Sequence, residues 1–158
     1  MLATMEARPT SPAPAAGPRP KVLLIEDNAG FADFIRDTLT RPAGGPFRLE
    51  VASTLAAGLQ ALATGRFDVL LLDLGLPDSG SIQTFIRARD QAPQTPILIL
   101  TVLDDDAMAT EAVRQGAQDY LVKDDVNRPL LVRSIRYAME RARAERALHE
   151  LSGRLLTM

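Results

Sequence analysis

From Lys21 onward the chain alternates between short apolar runs and stretches whose apolar residues recur every three or four positions. The first run, KVLLIE (21–26), has the length and composition of a short strand. AGFADFIRDTLT (29–40) follows, with Phe31, Phe34, Ile35 and Leu39 at helical spacing. PFRLEVAS (46–53) alternates as a strand near a sheet edge does. TLAAGLQALATG (54–65) predicts a helix capped by Ser53 or Thr54 and stopped at Gly65. FDVLLLD (67–73) predicts a third, buried strand, and SIQTFIRARDQ (81–91) a third helix. PILILT (96–101) predicts a fourth strand. DDAMATEAVRQG (105–116) predicts a fourth helix, with acids at its start and Gly116 at its end. DYLV (119–122) predicts a fifth strand, and residues 128–156 form one long helical pattern.

Strand followed by helix, five times over, predicts an α/β fold: a parallel sheet covered by helices on both faces, with right-handed crossovers. In such sheets chemistry collects at the carboxyl ends of the strands. The chain has 158 residues, enough for one domain with a real core. The expected organisation is a disordered, proline- and alanine-rich leader over 1–20, a domain over 21–142, and an extension of the last helix over 143–158.

A net charge of -2 argues against nucleic-acid binding through bulk electrostatics. The chain has no cysteine, which excludes disulfides, thiol catalysis and cysteine-bound metals. No apolar run approaches the length of a membrane span, and the start lacks a signal-peptide pattern. The expectation is a soluble, cytoplasmic protein with no membrane insertion.

The strand ends carry the candidate chemistry. The first strand ends in Glu26 and Asp27, the third in Asp73, the fourth in Thr101, and Lys123 follows the fifth. A carboxylate at the end of a buried strand costs several kcal/mol unless it is compensated. If the first and third strands are neighbours, three carboxylates share a small space, and like charges that close cannot all stay ionised unaided. Oxygen ligands and negative charge suit a hard cation such as Mg2+, which needs few protein ligands. Lys123 adds a positive charge and Thr101 a hydroxyl. Any one of these acids alone would be an ordinary surface residue; their order after successive strands points to one site.

With LLIEDN (23–28), LLLDLGLPDSG (70–80), ILILTVLDD (97–105) and DYLVKDD (119–125), the sequence resembles the response-regulator receiver domain of two-component signalling. The resemblance covers about residues 20–140 and implies a flavodoxin-like doubly wound sheet in the order 2-1-3-4-5. It implies that Asp73 accepts a phosphoryl group from a phosphohistidine on a partner histidine kinase or phosphotransfer protein. It implies Mg2+ held by Asp27, Asp73 and the backbone carbonyl of Gly75, with Glu26 acting through water. Lys123, Thr101 and the backbone amide of Val102 would bind the phosphoryl group, and Thr101 and Tyr120 would switch together. The domain would be no enzyme beyond slow self-dephosphorylation. Two positions depart from the family pattern. Val102 stands where the family usually has a small residue, and Asp124 follows Lys123 where the family has proline. The expected consequences are narrower access to Asp73 and a differently shaped loop after Lys123.

Smaller signals have plainer readings. Asp104, Asp105 and Asp106 are expected to cap the fourth helix, and His149, the only histidine, to be a surface helical residue. The last helix continues past the point where the domain needs it. Tyr137, Arg141, Ala144, Leu148, Leu151 and Leu155 follow alternating steps of four and three, a coiled-coil seam. This predicts a parallel homodimer through the last helix. From Arg128 onward there are seven arginines against three glutamates. No helix-turn-helix follows, so direct nucleic-acid binding is not expected. Two rivals remain: a degenerate receiver serving as a phosphorylation-independent dimerisation scaffold, and a Mg2+-dependent phosphohydrolase. The second would want an aspartate where Gly75 stands.

Overall fold

The structure, a computed structural model, describes residues 19–41, 46–102 and 105–156; the side chains of residues 79–80 and 154–156 fall outside that description. Most of the expected leader, Asp104 and the Leu155 side chain therefore lie outside the described residues.

In chain order the elements are β1 (Lys21–Ile25), α1 (Ala29–Thr40), β2 (Arg48–Ala52), α2 (Leu55–Thr64), β3 (Val69–Asp73), β4 (Gly75–Leu76), β5 (Ser79–Gly80), α3 (Ile82–Gln91), β6 (Ile97–Thr101), α4 (Asp106–Arg114), β7 (Asp119–Val122), a 3-10 turn (Lys123–Asp125) and α5 (Arg128–Leu156). The sheet order is β2-β1-β3-β6-β7, all parallel, and β4 and β5 form a separate antiparallel hairpin. With the hairpin set aside, this is the flavodoxin-like order 2-1-3-4-5.

Strand residues alternate between two apolar layers, as the two-residue period of a strand requires. Leu23, Ile25, Leu70, Leu72 and Ile99 pack with Leu55 and Leu62 of α2, Phe85 and Ala88 of α3, and Ala109 and Ala112 of α4. Val22, Leu24, Val69, Leu71 and Leu98 face the other way, onto Ile35 and Leu39 of α1 and Leu131, Ile135 and Ala138 of α5. Helix α2 lies so close to β1 that a Cβ on Gly58 would come within 2.2 Å of Ile25 Cδ1. Glycine is needed there for approach, not for backbone freedom.

Local caps set the helix starts. The Asn28 side chain accepts from the Phe31 N–H at 2.8 Å, and that of Thr54 from the Ala57 N–H at 3.0 Å. Asp105 stands at the N-cap of α4 but makes no side-chain capping hydrogen bond. The expected capping role is therefore not what Asp105 does. Ser81, before α3, has φ 85° and ψ -169°. That region is comfortable for glycine alone and costs other residues of order 1–3 kcal/mol. Its hydroxyl returns only a long 3.4 Å contact with the Gln83 N–H. Ser81→Gly is expected to raise stability by about 1 kcal/mol in urea unfolding; an unchanged or lower midpoint would contradict the strain.

Candidate functional site

The register brings the chemistry together. Ile25 pairs with Leu72, so Glu26 emerges beside Asp73 at the carboxyl edge. Thr101 pairs with Val122, so Lys123 emerges next to the end of β6. A cleft of about 290 Å³ opens there, lined by Glu26, Asp27, Asp73, Gly75, Thr101 and Lys123 among others.

Lys123 Nζ lies 2.7 Å from Glu26 Oε1 and 3.4 Å from Asp73 Oδ2. It also sits 4.9 Å from the centre of the Phe31 ring, a cation–π contact supplied by α1. Glu26 and Asp73 are buried, whereas Asp27 is exposed. Each buried acid is braced by backbone: Glu26 Oε2 accepts from the Asn28 N–H at 3.0 Å, and Asp73 Oδ1 from the Gly75 N–H at 2.9 Å. Glu26 Oε1 meets Lys123 as an ion pair, and among the described residues no donor reaches it with hydrogen-bond geometry. Burial pushes the Glu26 carboxyl up to about 7, against the pull of Lys123 and the Asn28 N–H; the Asp73 charge adds to the rise. Burial pulls the Lys123 ammonium down, but Glu26 and Asp73 outweigh it and hold it above its ordinary value.

Carboxylate oxygens of Glu26, Asp27 and Asp73 lie within 4.8 Å of one another. Three clustered carboxylates, two of them buried, suit a hard divalent cation that keeps several waters. The Thr101 hydroxyl donates to the Val102 carbonyl at 3.1 Å, not to Asp73. Val102 is 49% exposed at the mouth of the cleft. Tyr120 is half-buried, and Asp106 of α4 raises its pKa. The loop after Lys123 is a 3-10 turn closed by the Val126 N–H on the Lys123 carbonyl at 3.3 Å. Asp124 in place of proline leaves the Lys123 ammonium between the two buried acids.

Two residues escaped the sequence reading. Asp105 lines the cleft, although its place before a helix suggests a cap. Asp78 reaches back to the start of α2, with Oδ1 and Oδ2 accepting from the Leu55 and Ala56 N–H groups at 3.0 Å each. His149 is exposed on α5 and does not line the cleft. The described seam positions on α5 face solvent: Tyr137 is 64%, Leu148 69% and Leu151 54% exposed, and Arg141 and Ala144 are exposed too. Ala142 is the last buried residue of that helix among those described.

A doubly wound sheet with acids and a lysine gathered at its carboxyl edge defines a class of signalling domain more narrowly than the fold alone would. The chain matches the response regulator receiver domain over residues 22–136 and belongs to that family, the receivers of two-component systems. It is 37% identical over 102 residues to the KDP operon transcriptional regulatory protein KdpE of Escherichia coli, covering 65% of this chain and 44% of that protein. It is 37% identical over 119 residues to the response regulator protein FleR of Pseudomonas aeruginosa, covering 75% of this chain and 24% of that one. It thus spans less than half of either relative. Among solved structures, the signal receiver domain of an HD domain-containing protein from Pseudomonas fluorescens superposes with a TM-score of 0.73 at 25% identity, covering 84% of this chain and 96% of that one. No helix among the described residues is long and apolar enough to cross a membrane.

Proposed function

We propose that this receiver accepts a phosphoryl group on Asp73 from a phosphohistidine of a histidine kinase or phosphotransfer protein, and that phosphorylation switches its protein contacts. The observation that carries the reading is Lys123 Nζ placed between Glu26 and Asp73, beside the three-carboxylate cluster. An Asp73 oxygen forms the new P–O bond while the P–N bond breaks, and the imidazole nitrogen keeps that electron pair. Asp27, Asp73 and the Gly75 carbonyl would hold Mg2+, with Glu26 acting through water; the ion supplies charge neutralisation for the in-line transfer. Lys123 moves from Glu26 toward the phosphoryl oxygens. The Thr101 hydroxyl exchanges the Val102 carbonyl for the phosphoryl group, the Val102 amide donates alongside it, and Tyr120 changes rotamer with it. The domain runs from 21 to 142, and 143–158 continues as a linker helix.

With Mg2+ and acetyl phosphate the full chain is expected to gain the mass of one phosphoryl group, and Asp73→Asn none. Full labelling of that variant would sink the assignment.

The exposed seam on α5 supports a parallel homodimer through that helix. Burying each of its leucines fully gains about 1.5–3 kcal/mol. A seam this short is marginal alone, with Arg141 inside it, so the face around α4, β7 and α5 shares the contact. Light scattering is expected to give a dimer for the full chain and a weaker one for a version ending at Ala142. Monomers in both cases, with and without phosphodonor, would exclude it.

A further inference from the structure

The hairpin β4–β5 begins at Gly75, two residues beyond Asp73. Gly75 pairs with Gly80 and Leu76 with Ser79, which leaves Pro77 and Asp78 as the turn. Leu76, next to the turn, is buried in the core. The tip of the hairpin is fixed by Asp78, whose carboxylate oxygens accept from the first two N–H groups of α2 at 3.0 Å each. Helix α2 already has its own cap in Thr54, which takes the Ala57 N–H. The bonds from Asp78 therefore add something that local capping does not: they join the hairpin to the β2–α2 connection.

That connection touches the acid pair as well. The Glu26 N–H donates to the Ala52 carbonyl at 2.9 Å. The strand end carrying Glu26 and Asp27 and the hairpin carrying Gly75 are thus braced against one short segment, Ala52 to Ala56.

We propose that Asp78 is a positioning residue for the cation site: it holds the hairpin so that Gly75, which lines the cleft and donates its N–H to Asp73, can present its carbonyl to the cation. This rests on the reading that the Gly75 carbonyl is a Mg2+ ligand. The Leu55 and Ala56 N–H groups hold the Asp78 carboxyl below its ordinary range, so the tie is intact at neutral pH.

The test is calorimetric titration of Mg2+ into the full chain and into Asp78→Ala, Asp78→Asn and Thr54→Ala. Thr54→Ala removes a cap from the same helix and leaves the hairpin tie. Asp78→Ala is expected to raise the Mg2+ Kd about tenfold, and Thr54→Ala to leave it within about twofold. Asp78→Asn falls between, because its amide oxygen still accepts one N–H. Equal Kd values for Asp78→Ala and Thr54→Ala would overturn the inference. If Asp78→Ala does not fold, Asp78→Asn decides: a Kd above that of Thr54→Ala supports the tie, and an equal one overturns it. An unmodified chain that binds no Mg2+ refutes the cation reading itself and this inference with it.

Discussion

The metal-free protein is expected to lose about 3 kcal/mol of stability through Glu26 as the pH rises from about 5 to about 8. Burial lifts the folded-state pKa of Glu26 from 4.5 to about 7. Between those values the folded state holds a proton that the unfolded state has released. The stabilisation is complete below the lower pKa and is lost as pH rises through the upper one. For a chain of this size the loss corresponds to a fall in Tm of roughly 6–12 °C. Glu26→Gln carries no titrating group and is expected to flatten the profile. Mg2+ is expected to offset the loss more at high pH, because a cation favours the ionised acid. A variant that keeps the full slope would place the titration elsewhere.

Lys123→Ala is expected to destabilise the metal-free protein by about 3 kcal/mol near pH 8, and by much less near pH 5.5. Lys123 is the only cationic side chain lining the cleft among the described residues. Without it, Glu26 and Asp73 face each other unpaired above neutrality; below it, Glu26 takes up a proton instead. The partners of Lys123 raise its pKa, so its contribution is present below its unfolded value and persists across the neutral range. Mg2+ should restore more stability to this variant than to the unmodified chain, since a second cation then replaces the first. Urea unfolding at both pH values, with and without Mg2+, checks the pattern. Equal losses at both would contradict it.

Periodicity located the strands and helices because burial dictates it: α1, β7 and α5 match their predicted spans residue for residue. The order of acids, hydroxyl and lysine after the strands was legible for the same reason, since a strand end is visible where an apolar run stops. What lay hidden was geometry between distant segments. The stretch GLPDSG reads as loop, because two-residue strands have no period to detect. The tie from Asp78 spans 22 or 23 residues and looks like any turn aspartate. Ser81 gives no sign of a positive φ, a conformation that glycine would have announced. Asp105 has the residue type and place of a cap, yet it makes no capping bond and lines the cleft. That Lys123 rests over Phe31, nearer to Glu26 than to Asp73, is side-chain geometry that no spacing records.

An acyl phosphate on Asp73 is open to chemical mapping. Borohydride reduces an aspartyl phosphate to homoserine and leaves free carboxylates and phosphate esters alone. The chain is incubated with Mg2+ and acetyl phosphate, reduced, digested and sequenced by mass spectrometry. Homoserine is expected at position 73 and at no other aspartate. Reduction at Asp27 or Asp105, or a labelled chain with no reducible acyl phosphate, would contradict it.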